Sequence, residues 1–213
     1  MRTIAFACAI LSLLILAGAT IAGGLAYPGY DHLRQYISEL GATGADTGQA
    51  VSLAFMASGS LLAAFWLMCA GLFPKSPLLI IGFGLSALNG LGLFFGGVFR
   101  CDFQCSLASP SKAAMLHELL GGLGYLAGIV GVFVIGLAMR SRPAGRGLFN
   151  VALLCGVPAA MTIGLIDPLF EFHGAAQRVV ELSLAVWTVA VALSLRRPAG
   201  AVSRDGGVSA GAC

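Results

Sequence analysis

Six long apolar runs, separated by short polar connections, make up nearly the whole chain. The first covers Ile4 to Ala26, with only Met1, Arg2 and Thr3 before it. A signal peptide is the competing reading, since Arg2 is a basic start and small residues follow. The apolar stretch is too long for that, because a signal h-region covers about 7–15 residues, so the run reads as a retained first helix. The others fall at about 49–73, 78–99, 113–139, 148–170 and 174–195. A helix needs ~20 apolar residues to cross a bilayer, so each run predicts one span. The prolines of Phe73-Pro74-Lys75-Ser76-Pro77 break the helical ladder between the second and third runs. The expected fold class is all-α: a polytopic transmembrane bundle of six helices over 1–197. A Gly/Ala/Ser tail over 198–213 is expected to be disordered.

The longest polar interruption is Tyr30 to Gly41, YDHLRQYISELG. A short interfacial helix over Asp31–Glu39 would turn Leu33, Tyr36, Ile37 and Leu40 toward the bilayer or the bundle, with Gly41 ending it. The second polar loop is Arg100 to Lys112, RCDFQCSLASPSK, and a third, holding Glu171 and His173, links the fifth and sixth runs.

Composition sharpens this picture. The chain is 58% hydrophobic and 10% charged, against about 25% charged in soluble domains, which excludes a water-soluble domain. Thirty glycines suit close-packed membrane helices, and Gly92/Gly96 and Gly124/Gly128 have the spacing that favours helix contact. Asn89, in the third run, is expected to make an interhelical hydrogen bond. A net charge of +3 without a basic run gives no signal for nucleic acid; the lipid bilayer is the expected partner.

Orientation follows from the cations. With a cytoplasmic N-terminus the inner segments hold Arg2, Lys75, Arg140, Arg142, Arg146, Arg196, Arg197 and Arg204. The outer half holds Arg34, Arg100, Lys112 and Arg178. Eight against four satisfies the positive-inside rule, which puts both termini in the cytoplasm. The acids and histidines then partition sharply. Asp31, Glu39, Asp46, Asp102, Glu118, Asp167, Glu171, Glu181, His32, His117 and His173 all fall in the outer half.

This one-sided distribution predicts a polar pocket at the outer face. Asp31, Arg34, Glu39, Asp102, His117, His173, Gln177 and Arg178 are its candidate ligand-binding residues. His117 and His173 with Asp102 are a candidate metal set, with zinc as the candidate cofactor because imidazole and carboxylate suit it. Ser38, Glu39, Asp102 and His117 are the catalytic candidates, though Ser38 has no base in its local sequence. The competing reading is that these residues cap helices and face headgroups. Glu118, Arg178 and Glu181 are placed about a turn inside helix ends, where they can snorkel, and Arg178 and Glu181 have the i, i+3 spacing of a local pair. Cys101 and Cys105 form either a disulfide or, with Asp102, a metal pair.

The YDHLRQYISELGATG passage, the FRCD loop before a helix carrying His117, and HGAAQRVVELSLAVW leading into the last span resemble a family of bacterial six-span membrane proteins, domain of unknown function 998. The resemblance covers about Ile4 to Arg197. It implies a small multi-pass protein of the bacterial cytoplasmic (inner) membrane, brings no reaction, and marks Ser38, Glu39, Asp102, His117, Gln177 and Arg178 for testing. Three functions are compatible with the pattern. One is binding of a lipid-like or small molecule at the outer face. The second is metal-dependent hydrolysis of lipids by an embedded enzyme. The third is a small transporter or channel, against which stands the lack of charge at the centre of any span.

Overall fold

The structure is a computed structural model and describes residues 1–142 and 145–196; the tail expected to be disordered lies outside them. Six helices carry the chain: α1 Arg2–Ala26, α2 Gly48–Leu72, α3 Pro77–Val98, α4 Lys112–Arg140, α5 Arg146–Thr162 and α6 His173–Ser194. Each is long and apolar enough to cross a membrane, the fifth span running on to Leu165. The protein is therefore a polytopic transmembrane bundle. Pro77 opens α3 at its first position, where its missing N–H leaves no bond unmade. The Ser111 hydroxyl caps α4 by accepting from the Ala114 amide at 3.1 Å.

The fifth helix stops at Thr162, well short of Phe170. The Thr162 hydroxyl bonds back to the Pro158 carbonyl, a single 3-10 turn covers Ile163–Leu165, and Pro168 disfavours helix at Asp167. The expected interfacial helix is also absent. Asp31 to Gln35 is a turn in which the Arg34 and Gln35 amides both bond the Asp31 carbonyl, and only Ile37–Gly41 is helical, as 3-10. Ile37 and Leu40 are buried as anticipated, whereas Leu33 is exposed.

Consecutive helices pack round a ring, closed by a much lighter contact between α6 and α1. Gly92 and Gly124 face each other, so that a Cβ on either would press on the other's backbone. Their partners in the spacing have a different use: Gly96 leaves room for the His117 ring, and Gly128 for the Asn89 side chain.

The two halves of the bundle are filled differently. On the side of the termini, Phe65, Trp66, Phe83, Ile135, Trp187 and Val191 form a dense core. The opposite, loop side has only Ile37, Leu40, Val51 and Phe55 as its larger buried cluster. Voids are rare in well-packed interiors, and the space in this protein lies at the thinner end.

Candidate functional site

The Tyr30–Gly41 stretch closes the loop side of the bundle and is held there by the first turns of α6. Arg178 donates to the Gln35 carbonyl at 3.0 Å, the Gly174 carbonyl at 2.9 Å and the Tyr30 hydroxyl at 2.7 Å, and it reaches His32 Nδ1 at 3.0 Å. The Ala175 amide bonds the Leu33 carbonyl. Gln177 Oε1 accepts from the Ile37 amide at 2.7 Å. Gly174 lies directly against the Gln35 backbone, leaving no space for a Cβ. The His173 ring stacks on Tyr36 with centroids 4.2 Å apart, and its Nδ1 lies 2.8 Å from the Phe170 carbonyl.

Within the stretch, Glu39 accepts from the Tyr36 amide at 2.9 Å and from Gln35 Nε2 at 2.8 Å, a capping arrangement that ties the turn to the 3-10 helix. Burial raises the Glu39 pKa, against the lowering effect of the Gln35 and Tyr36 hydrogen bonds and of His173 and Arg178 nearby. Asp31 accepts from the Leu33 amide, and Arg34 pairs with Glu171 at 2.7 Å on the surface. From the other loop, Arg100 donates to the carbonyls of Gly41 and Ala42, and Asp102 accepts from the Ser111 amide. Cys101 and Cys105 are joined as a disulfide, with Cys105 Sγ 3.4 Å from the Ser38 hydroxyl.

Most of the predicted site residues therefore build the cap. Among the described residues no three His, Cys, Asp or Glu side chains gather as a metal site. His117, His173 and Asp102 each bond backbone instead. The local Arg178–Glu181 pair does not form, because the guanidinium turns toward the loop. Asn89 makes no interhelical hydrogen bond among the described residues; its side chain packs on Gly128. Glu181 lies eight residues into α6, about 12 Å along the helix, deeper than a snorkelling position.

Beneath the cap is a cavity of about 80 Å³, room for several water-sized groups. Its wall carries Ser38, Asn89, His117, Tyr125, Gln177 and Glu181 beside leucines of α1, α2, α3 and α6. A groove of about 800 Å³ lies on the loop side, between the cap, the start of α4 and the α5–α6 link. Ser38, His117, Gly121, Tyr125 and Gln177 line both spaces, so the two adjoin at these side chains, called the neck below. Two side chains at this neck have defined proton positions. His117 Nδ1 faces the carbonyls of Phe99 at 2.8 Å and Gly96 at 3.1 Å; facing acceptors, it must donate, which leaves Nε2 of the neutral ring as an acceptor. Tyr125 donates to Glu181 at 2.6 Å and accepts from Gln177 at 3.1 Å. Sequence reading missed Tyr30, Gln35, Arg100 and Tyr125. The four-residue spacing of Gln35 and Glu39 was the one local signal for any of them.

No curated protein and no solved structure matches the chain. A family model does, over residues 8–194, and by that match the chain belongs to the family described as Protein of unknown function (DUF998).

Proposed function

We propose that the protein binds one small amphiphile, polar end inward, in the cavity beneath the Tyr30–Gly41 cap. The observation that carries this reading is the neck: the same five residues line both the groove and the cavity, so the two spaces adjoin on the loop side. A pocket mostly of apolar wall with a few placed polar groups is the usual character of a small-molecule site. Beyond the cavity, toward the termini, Phe65, Trp187 and Val191 are fully buried, which favours a closed-ended site over a transport path. The loop side faces away from the cytoplasm on the weight of Lys and Arg, and the ligand comes from that side or the adjoining leaflet of a bacterial inner membrane.

Gly121 tests the reading. It lines the neck, and a Cβ there meets nothing within 4 Å, so Gly121→Phe should plug the passage without disturbing the fold. Native mass spectrometry of protein titrated with dodecylamine, dodecanol and lauric acid should give saturable one-to-one binding of at least one of them. Gly121→Phe should abolish that binding at an unchanged melting temperature. Binding by none of the three, or binding indifferent to the plug, overturns the proposal.

A further inference from the structure

The hydrogen bonds running into the cavity have a fixed direction. The Ile37 amide can only donate, so Gln177 presents its oxygen there and its nitrogen to Tyr125. The Tyr125 hydroxyl, already accepting from Gln177, directs its own proton to Glu181 Oε1. Glu181 thus ends the chain as an acceptor. Its second oxygen has no hydrogen-bond partner among the described residues, and neither described ion pair involves it. The nearest cation in sequence, Arg178, is engaged by the cap. His117 Nε2, on the same cavity wall, is the other free acceptor. A carboxyl at membrane depth calls for a partner, and neither Glu181 Oε2 nor His117 Nε2 has a donor among the described residues, although the Asn89 carboxamide and the Ser38 hydroxyl share the cavity wall. The groove outside continues the trend with Glu39, Glu118 and Asp167 in its wall, while its Arg34 is paired with Glu171.

We infer that the ligand is an alkyl amine: a primary ammonium that donates to Glu181 and His117 Nε2, on an apolar chain packed against the leucines of α1 and α6. Leu13, Leu16 and Leu184 line that flank of the cavity, where the ring of helices is most lightly closed. This inference rests on the amphiphile-binding reading above and adds the chemistry of the polar end.

The three twelve-carbon probes separate the two claims. Dodecylamine should bind at least about tenfold more tightly than dodecanol or lauric acid, the scale of one charge-assisted hydrogen bond. Glu181→Gln should remove that advantage, so that dodecylamine and dodecanol bind alike. Butylamine at the same concentrations should not bind, which distinguishes an amphiphile from a free short amine. Equal binding of the three long probes, or an amine preference that survives Glu181→Gln, overturns the amine assignment but leaves the binding site standing. Butylamine binding as tightly as dodecylamine removes the apolar half of the assignment. Should Glu181→Gln fail to fold, Tyr125→Phe serves instead. It frees Oε1 of its donor, and the amine preference must persist or grow.

Discussion

Glu39 is 4% exposed, and among the described residues no cation forms an ion pair with it. Its oxygens face an amide and a carboxamide, and burial outweighs those bonds in setting its proton affinity. The pH consequence has a definite sign. A carboxyl whose pKa is raised by folding is neutral in both states at low pH and contributes nothing there. As pH climbs past the ordinary value of 4.5, the unfolded chain loses its proton first, and the folded state is increasingly disfavoured until its own higher pKa is passed, above which the penalty stays at its full size. Glu39→Gln carries no such penalty. The melting temperature of the natural protein, minus that of Glu39→Gln, should therefore fall as pH rises from 4.5 toward neutrality. A flat difference would mean that the hydrogen bonds, and not burial, govern Glu39.

The element that organises the site is the Tyr30–Gly41 cap on the first turns of α6. Gly174 is its closest seam, since any Cβ there meets the Gln35 carbonyl and amide. Overpacking a close contact costs about 1–3 kcal/mol, so Gly174→Val should lift the cap and expose the bond after Arg34 to trypsin. Gly164→Val, with open space at its Cβ, should leave the digestion rate as it was. Equal rates in the two variants would show that the cap does not depend on this contact. The same element marks what the sequence could disclose. The spans were legible because runs of ~20 apolar residues have few other uses. The two polar motifs at Tyr30 and His173 were legible as unusual. Their mutual role was not, because it depends on residues about 140 positions apart meeting at one end of a ring. For the same reason Arg178 read locally as a partner of Glu181, whereas its guanidinium has nearer acceptors in the loop carbonyls. The cavity was invisible for a further reason. Tyr125 and Glu181 look like scattered polar residues until α4 and α6 are placed side by side.

At the scale of the whole molecule the protein has one packed end and one hollow end, and the biology depends on which compartment the hollow end meets. Charge argues for the outside. Arg2, Lys75, Arg140, Arg142, Arg146 and Arg196 lie on the packed side. The loop side has Arg34, Arg100, Lys112 and Arg178, and three of these are internally engaged. Arg100 and Arg178 bond backbone carbonyls of the cap, and Arg34 pairs with Glu171. The positive charge free to hold a segment in the cytoplasm is thus more lopsided than a plain count suggests, and it is this charge that orients membrane proteins. Ser106 and Ser141 are exposed on opposite ends. In a Cys213→Ser background, Ser106→Cys should react with a membrane-impermeant maleimide in intact cells, and Ser141→Cys only after permeabilisation. The reverse pattern would turn the neck toward the cytoplasm. The acceptor chain through Gln177, Tyr125 and Glu181 would be unaffected, because it follows from geometry alone, but the amine would then have to come from inside the cell. Labelling therefore decides the source of the ligand independently of its chemistry.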